Sequence, residues 1–403
     1  MEKLKIAAIG LGARGASIIS DLLLGMNNIT ITAVCDIYQD RTQNAAQKIE
    51  TATGTRPYAT TNYQDVLVRS DVDAVLIMSD WLSHIPIAMN AMKHGKAVGM
   101  EVGGAYTLED CYALVRTWEE TQVPFMFLEN CCYGKTEMMV MNMVKQGLFG
   151  EIVHCAGGYH HDLRSEIAHG KENRHYRLQN YLTRNAENYP THELGPIAQI
   201  LNINRGNRFL TLTSVASCAK GMNTYAQNNP QTVDPKLATA TFAQGDIVTT
   251  IITCAGGQTI TLTLDTTLPR GYSRGFTVRG TLGMYCEDNH SIYLEQDFTE
   301  ADHWNWAVQW NNAEKYMQKY CHPTWVAYEQ NGICGGHGGM DGLVYGEFFE
   351  CVRQARPCPI DVYDAAAWMA VTPLSEASIA MGGAPVAFPD FTHGAWISRT
   401  TEE

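Results

Sequence analysis

The first third of the chain alternates short apolar runs with longer segments of helical periodicity. Residues 4–9 are largely apolar, as in a strand that is covered on both faces. Similar runs lie at residues 30–34, 74–77, 97–100 and 124–128. Helices are predicted between them, at 16–23, 41–53, 83–94 and 107–121. Repeated βα units of this length predict a doubly wound parallel sheet in a domain of residues 1–130.

The pattern changes in residues 131–403. After a predicted helix at 135–146, runs of β-type composition lie at 151–156, 209–217, 238–242, 247–254, 259–264, 276–279 and 291–294. Because no helix of crossover length separates the later runs, we expect a large, mainly antiparallel sheet. Helices return at 341–354 and 364–381, and the polar stretch 223–234 is predicted to be a surface loop. The fold class is therefore α/β, with a second α+β domain at 131–403 that we expect to bind substrate.

Composition narrows the classes of function. A chain of 403 residues with 45% hydrophobic and 18% charged residues is typical of a soluble protein of two domains. No apolar run reaches the roughly 18 residues that a membrane helix needs. The net charge of −13 comes without a basic stripe, so neither nucleic acid nor an anionic membrane is an expected partner.

The N-terminus and the cysteines bear on location. Residues 1–4 lead at once into the first strand, so no secretory signal is indicated and a cytoplasmic location is predicted. A trimmed export signal would leave the same sequence. The twelve cysteines are scattered and form no C-x-x-C pair. Buried thiols in a reducing compartment are therefore expected, and no metal site is predicted.

A glycine-rich segment joins the first strand to the first helix. It consists of Gly10, Leu11, Gly12, Ala13, Arg14 and Gly15. In such a segment the first glycine permits a tight turn, the second lets the backbone approach a pyrophosphate, and the third lets helix and strand pack closely. The free N–H groups of the helix N-terminus then face the phosphates. The segment predicts dinucleotide binding.

Acidic and aromatic residues follow the neighbouring strands. Asp36 ends the second strand at the distance expected for a carboxylate that binds the ribose hydroxyls. It favours NAD over NADP because a 2′-phosphate would meet a negative charge; a strand-end turn residue is the alternative. Ligands of such sheets bind at the carboxyl ends of the strands. The same rim is therefore expected to carry Ser79, Trp81, His84 and Glu101.

The chain resembles the glucose–fructose oxidoreductase and inositol dehydrogenase (Gfo/Idh/MocA) family in three features. These are the glycine-rich segment between the first strand and the first helix, Glu101 after its strand, and the antiparallel domain that follows. The resemblance covers essentially the whole chain and implies an N-terminal Rossmann domain that binds NAD. Dehydrogenases of that family carry Glu-Lys-Pro where this chain has Glu101-Val102-Gly103. The lysine assists removal of the hydroxyl proton. Val102 cannot do so, which counts against ordinary alcohol oxidation.

Four separated motifs carry a narrower resemblance, to glycoside hydrolase family 109. They lie at 144–151, 157–164, 189–196 and 336–341. Described members of that family are NAD-dependent glycosidases that act chiefly on N-acetylgalactosaminides. One departure is Gly342, where the family pattern leads us to expect an aromatic residue.

The resemblance implies a retaining mechanism in which NAD is a catalyst. Oxidation of the sugar at C3 makes the C2 hydrogen acidic, a base removes it, and the C1 substituent leaves by elimination. Water then adds, and the hydride returns. Enzymes of this kind are exceptions to the two-carboxylate scheme of glycoside hydrolysis. The alternatives are an NAD-dependent sugar or polyol dehydrogenase that releases NADH, and a nucleotide-binding sensor without turnover.

The resemblance also implies roles for individual residues. His192 and Tyr189 are the catalytic candidates beside the sugar, with His192 the first choice for acid/base work; a packing or capping histidine is the alternative. Glu101 is expected at the nicotinamide or its ribose, or in a structural hydrogen bond. Tyr159, His161 and Arg164 are candidates to line the sugar site, with a position on its rim as the alternative, and His337 and Asp341, in a glycine-rich turn before a helix, could close over the substrate. The sequence leaves the sugar, the anomer and the aglycone open, and a homo-oligomer is expected because relatives in the wider family are often dimers or tetramers.

Overall fold

The computed structural model describes residues 3–400, which form two compact units. The first unit consists of the residues up to Tyr133 together with Tyr328–Ala366, and the second of Gly134–Ala327 with the residues from Ala367 onward. The sequence places everything beyond residue 130 in one domain, whereas the structure returns Tyr328–Ala366 to the first unit. Within residues 3–400, no helix combines the length and the apolar character needed to cross a bilayer.

The first unit is built on a six-stranded sheet in which every neighbouring pair is parallel. Its strands are β1 Leu4–Ile9, β2 Ile29–Cys35, β3 Tyr58–Thr60, β4 Ala74–Ile77, β5 Ala97–Met100 and β6 Phe125–Phe127, in the order β3-β2-β1-β4-β5-β6. The helices between them are α1 Ala13–Asp21, α2 Gln39–Thr53, α3 Tyr63–Leu67, α4 Trp81–Lys93 and α5 Leu108–Thr121. All four residues of β4 are buried, as expected for a strand with helices on both faces. The predicted doubly wound sheet is confirmed.

The second unit contains an eight-stranded sheet. Its strands are β7 Ile152–His160, β8 Phe209–Ala216, β9 Ile247–Cys254, β10 Thr259–Asp265, β11 Thr277–Gly280, β12 Gly283–Cys286, β13 Ser291–Leu294 and β14 Val386–Ala387, in the order β13-β12-β11-β7-β10-β9-β8-β14. Only β7 and β10 pair in parallel within this sheet. The mainly antiparallel sheet predicted from the sequence is confirmed.

Eleven further helices complete the two units. They are α6 Lys135–Lys145, α7 Arg164–Ala168, α8 Arg177–Thr183, α9 Thr191–Ile200, α10 Gly221–Asn228, α11 Trp306–Gln309, α12 Ala313–Tyr320, α13 Pro323–Asn331, α14 Met340–Gln354, α15 Val362–Met369 and α16 Val371–Ala380. One face of the second sheet is covered where α9 packs on β7 and α16 packs on β8. On β10 the buried face carries Ile260, Leu262 and Leu264, and threonines alternate with them on the other face.

Helix α14 explains the division of the chain. Its buried side chains include Tyr345, Phe348 and Phe349. The Phe348 ring is so close to β5 that a Cβ atom at Gly99 would lie 3.0 Å from it. The helix therefore covers the first sheet although it comes more than 200 residues later in the chain. Local sequence patterns carry no information on such a long-range contact.

Three local predictions are wrong. Part of the stretch 223–234 lies in α10, because Met222 and Ala226 form a buried helical face among polar neighbours. Residues 238–242 form no strand; the Asn223 side chain donates to the Leu237 and Ala240 carbonyls, and so satisfies acceptors that a sheet would have used. The single helix predicted at 364–381 divides at Ala370, with a proline in the first turn of α16.

Candidate functional site

The glycine-rich turn brings β1 and α1 close to the end of β4. Gly10 has a φ of +94°, and a Cβ atom there would lie 2.4 Å from the Met78 carbonyl carbon. A Cβ atom at Gly15 would lie 2.0 Å from the Gly10 oxygen. The fold itself therefore requires glycine at both positions. At Gly12 the nearest such neighbour is Arg41 Nη1, at 3.6 Å, so the fold leaves room for a side chain there.

The N-terminus of α1 is open to an anion. Gly12 is its N-cap residue, no side chain caps it, and its first turn contains no acidic residue. The free N–H groups of such a terminus attract phosphate. Asp36 lies beside the turn, where its carboxylate accepts hydrogen bonds from Leu11 N at 2.7 Å and Tyr38 N at 3.0 Å. Each oxygen keeps acceptor capacity for a hydroxyl group.

The loop between β4 and α4 holds the next candidates. Asp80 caps α4 by accepting a hydrogen bond from Ser83 N at 2.9 Å, and the Ser79 hydroxyl accepts one from Ser83 Oγ at 2.7 Å. His84 is buried with Nε2 2.9 Å from the Ser79 carbonyl oxygen, and burial lowers its pKa. These contacts fix the loop that presents Ser79.

Trp81 explains the sequence after Glu101. A Cβ atom at Gly103 would lie 2.2 Å from Trp81 Cδ1, so the indole occupies the space that a side chain at this position would need. Val102, the residue before Gly103, is also buried. Dehydrogenases of the Gfo/Idh/MocA family carry a lysine at the position of Val102. In this chain the side chain at that position is apolar and buried, and it cannot accept or donate a proton.

Arg14 is held by two carboxylates of the first unit. Asp341 binds its guanidinium through two parallel hydrogen bonds of 2.8 and 2.9 Å, and Glu101 Oε1 accepts one from Nε at 2.9 Å. Glu101 Oε1 also accepts a hydrogen bond from the Tyr345 hydroxyl at 2.9 Å. The structural bond considered for Glu101 is therefore present. Its contact with a nicotinamide or ribose stays a prediction.

Asp341 is almost fully occupied by protein groups. Besides Arg14 it accepts a hydrogen bond from Asn130 Nδ2 at 2.9 Å and lies 2.9 Å from His337 Nδ1. Burial raises the pKa of Asp341, but the hydrogen bonds from His337 and Arg14 outweigh it and hold the pKa below its usual range. The geometry suits a residue that positions Arg14, and the predicted sugar contacts of Asp341 and His337 stay untested.

The Gly342 departure has a steric reason. A Cβ atom at this position would lie 2.1 Å from the Tyr328 hydroxyl and 2.5 Å from the Cys334 carbonyl oxygen. The Tyr328 hydroxyl donates to that carbonyl at 2.6 Å. Tyr328 therefore occupies the space that an aromatic residue at 342 would need.

In the second unit, four predicted residues form one aromatic cluster. Tyr159 lies near the end of β7, Tyr189 precedes α9, and His192 is in its first turn. The ring centroids of Tyr159 and Tyr189 are 4.5 Å apart, and that of His192 lies 5.5 Å from Tyr159 and 4.8 Å from Tyr189. His161 Nδ1 is 3.0 Å from the Tyr159 hydroxyl. This aromatic cluster places two phenols and two imidazoles within reach of one another.

Two further residues join the aromatic cluster, and one candidate does not. The Arg177 guanidinium lies 5.0 Å from the Tyr189 ring centroid, and Tyr272 lies 5.1 Å from His161. Sequence reasoning missed both; a loop tyrosine after Arg270-Gly271 was the available signal. Arg164 instead pairs with Asp162 at 2.7 Å and lies over Tyr225.

Burial and Arg177 affect the titration of this cluster. Burial lowers the pKa of His161, and the neighbouring Arg177 charge lowers it further.

Among the described residues, neither carboxylate oxygen of Glu187 has a well-aligned hydrogen-bond partner. Burial raises the pKa of Glu187 to about 8, partly offset by the Tyr189 N–H. The segment before α9 therefore carries a carboxyl group that favours its neutral form.

A buried triad of Arg274, Glu137 and Glu193 anchors α9 to the sheet. The Arg274 guanidinium lies 3.3 Å from Glu193 Oε2 and contacts Glu137 of α6. Glu193 is the neighbour of His192, and its Cγ would lie 2.0 Å from a Cβ atom at Gly157. A Cβ atom at Gly158 would meet the Thr263 carbonyl oxygen at 2.0 Å. Both glycines of the 157–164 motif are thus required by packing under α9 and against β10.

The parallel sheet with its glycine-rich turn, followed by a mixed sheet that carries the aromatic cluster, defines a two-domain protein of the NAD-binding oxidoreductase type. Residues 4–128 match the oxidoreductase family with an NAD-binding Rossmann fold, and residues 133–398 match the glycosyl hydrolase 109 C-terminal domain. The chain belongs to glycosyl hydrolase family 109 and is a glycoside hydrolase by descent.

Relatives support this assignment over nearly the whole chain. An alpha-N-acetylgalactosaminidase of Tannerella forsythia is 39% identical, and the match spans 98% of this chain and 88% of that protein. A glycosyl hydrolase family 109 protein of Stenotrophomonas maltophilia is 38% identical, and the match spans 99% of this chain and 91% of that protein.

Solved structures support the fold alone. A levoglucosan dehydrogenase in complex with NADH and L-sorbose matches with a TM-score of 0.66 at 15% identity, covering 97% of this chain and all of the other. A myo-inositol 2-dehydrogenase of Lactobacillus plantarum matches with a TM-score of 0.65 at 14% identity.

Proposed function

We propose that this protein is an NAD-dependent retaining glycosidase that cleaves N-acetylgalactosaminides or closely related glycosides. The observation that carries the proposal is the cluster of Tyr159, Tyr189 and His192 at the N-terminal end of α9. Relatives named alpha-N-acetylgalactosaminidase support the choice of sugar.

The first unit fits NAD. Gly12 leaves open the space that a pyrophosphate would fill, the α1 terminus offers free N–H groups, and Asp36 has acceptor capacity for two ribose hydroxyls. When bound, NAD would supply hydride acceptance and return at C3 of the sugar. Ser79, Trp81, His84 and Glu101 are proposed to line the rest of the cofactor site.

The residues of the second unit suit the proton steps. Elimination needs a base for the C2 proton and an acid for the departing oxygen, and histidine and tyrosine serve these roles near neutral pH. We assign His192 to acid/base work and Tyr189 to the sugar hydroxyls. Tyr159, His161, Arg177 and Tyr272 surround them and are proposed to contact the sugar, while Arg164 is held in an ion pair with Asp162.

A second candidate is a sugar or polyol dehydrogenase that releases NADH. Two solved structures with this fold are dehydrogenases, but at 14% and 15% identity they support the fold and not this activity. The buried Val102 disfavours it, because the usual proton acceptor is missing from that position.

One experiment separates the two candidates. The protein is incubated with NAD and a nitrophenyl N-acetyl-α-galactosaminide in deuterated water, and NADH absorbance is followed while the sugar goes to mass spectrometry. We expect nitrophenol release, deuterium at C2 and no net NADH. Accumulation of NADH with an intact glycosidic bond would make the protein a dehydrogenase.

We also propose a homo-oligomer. On the face of the second sheet opposite Ile260 and Leu262, Val215 and Ile251 are exposed beside the half-buried threonines of β10. Light scattering after size exclusion should give a multiple of the 44.7 kDa chain mass. A cytoplasmic location stays a prediction.

A further inference from the structure

Three tryptophans are exposed in the segment that follows β13 in the second unit. Trp304, Trp306 and Trp310 have 78%, 57% and 52% of their surface accessible, and Val308 between them is exposed as well. Tryptophan is usually largely buried. Several large apolar side chains exposed in one short segment generally mark a binding surface.

The backbone of this segment is held in place by polar side chains. Asp302 accepts hydrogen bonds from Thr299 N at 2.9 Å and Thr299 Oγ1 at 2.7 Å. Gln309 Nε2 donates to the Asp302 carbonyl at 2.7 Å, and Asn312 Nδ2 donates to the Ile292 carbonyl of β13 at 3.0 Å. The indoles are therefore presented by an ordered scaffold.

The indole rings offer flat faces. Trp306 and Trp310 are one helical turn apart, with ring planes 13° from parallel and centroids 6.3 Å apart. His303 packs edge-on against Trp304. An aromatic face attracts the C–H bonds of a saturated ring while its edge leaves polar groups accessible.

The charge of the segment selects among ligands. Residues 295–315 contain five carboxylates and one basic residue, Lys315, whose Nζ lies 5.5 Å from the Phe298 ring centroid. Such a surface repels phosphate groups, which disfavours nucleic acid and anionic lipid. A neutral sugar chain combines apolar ring faces for the indoles with hydroxyl donors for the surrounding carboxylates and amides.

We propose that Trp304, Trp306 and Trp310 form a platform that binds a neutral carbohydrate chain. The choice of carbohydrate rests in part on the proposed glycosidase function, because a glycosidase meets its substrate on glycans. The tryptophan platform would hold the chain that carries the sugar to be cleaved.

Affinity electrophoresis tests the platform. The full chain is run through native gels that contain asialo-mucin, galactomannan or hydroxyethyl cellulose, beside a Trp304→Ala/Trp306→Ala/Trp310→Ala variant. Ile397→Ala is the matched control, because Ile397 is an exposed apolar residue of the same unit at 70% accessibility. We expect at least one polysaccharide to retard the unmodified protein and Ile397→Ala, and the triple variant to bind it roughly tenfold more weakly.

Other results overturn the proposal. Equal migration of the unmodified protein and the triple variant in all three gels removes it. Loss of self-association in the triple variant, seen by sedimentation without glycan binding, makes the patch an interface between copies. Binding to phosphatidylcholine vesicles in place of glycans makes it a membrane contact.

Hydrolysis of a nitrophenyl glycoside separates this proposal from the proposed function. The small substrate carries no sugar chain for the platform to hold, so its turnover is expected to be equal in the unmodified protein and the triple variant. Glycan retardation without any hydrolysis would leave the platform standing and refute the glycosidase. Hydrolysis without retardation would do the reverse.

Discussion

At the scale of single residues, the strongest assignment concerns His192. Its ring lies within an aromatic cluster of two tyrosines, at the N-terminal end of a helix whose neighbour Glu193 is anchored by Arg274. A histidine so positioned can transfer protons without large movement of the backbone.

Replacement of His192 tests this role. We expect His192→Ala to lower kcat for a nitrophenyl N-acetyl-α-galactosaminide by about 10²–10⁴-fold, because general acid–base groups contribute at that level. The measurement is initial-rate kinetics with saturating NAD. His94→Gln, at an exposed helix end in the first unit, is the control and should keep its activity. Unchanged kcat in His192→Ala would leave His192 as a packing residue.

Glu187 predicts a pH dependence of stability. Its pKa is raised from an ordinary carboxyl value to about 8 in the folded protein by burial. The folded state then holds the proton more tightly than the unfolded state, so this contribution is complete at low pH and is lost as pH rises towards 8. We expect Glu187→Gln to remove the loss, so that its melting temperature exceeds that of the unmodified protein by a margin that grows from pH 5 to pH 8. A constant margin across that range would contradict the assignment.

At the scale of elements, the glycine-rich turn separates demands of the fold from demands of the ligand. Gly15 packs against the Gly10 oxygen, whereas Gly12 has an ordinary extended conformation and free space around it. Gly12→Val should therefore fold with an unchanged melting temperature but bind NAD at least about tenfold more weakly by calorimetry, because its side chain fills the phosphate space. Gly15→Val is the contrasting variant and should lose stability. Equal NAD affinity in Gly12→Val would place the pyrophosphate elsewhere.

The ion triad that anchors α9 can also be tested. Arg274→Met leaves Glu137 and Glu193 buried without their cation, which should lower the free energy of unfolding by about 3–5 kcal/mol. Adding Glu137→Gln and Glu193→Gln to the same chain removes both charges and should restore much of that loss. Urea unfolding of the single and triple variants measures both effects. If the triple variant does not regain free energy of unfolding, packing and not charge anchors α9.

At the scale of the whole molecule, α14 makes the first unit discontinuous in sequence. Its buried Tyr345, Phe348 and Phe349 would be missing from a chain of residues 1–133. We expect that chain to bind a hydrophobic dye and to melt without cooperativity, since one face of its sheet is uncovered. Joining residues 328–366 to it through a flexible linker should restore a cooperative transition in calorimetry. Cooperative melting of residues 1–133 alone would show that α14 is dispensable.

The sequence by itself determined the elements whose signal is local. The run of βα units, the glycine-rich turn and the alternation on β9 and β10 were all readable because each depends on neighbours within a few residues. The motif around His192 could be named for the same reason, and the fold and family that these patterns implied are confirmed.

Only the tertiary structure decided which of these residues meet. Asp341 pairs with Arg14 across 327 positions, Arg274 unites Glu137 with Glu193, and Arg177 and Tyr272 join the aromatic cluster from separate segments. The return of α14 to the first sheet and the steric exclusion at Gly342 are of the same kind. The physical reason is that such contacts depend on burial and charge pairing between distant parts of the chain, and local periodicity contains no record of either.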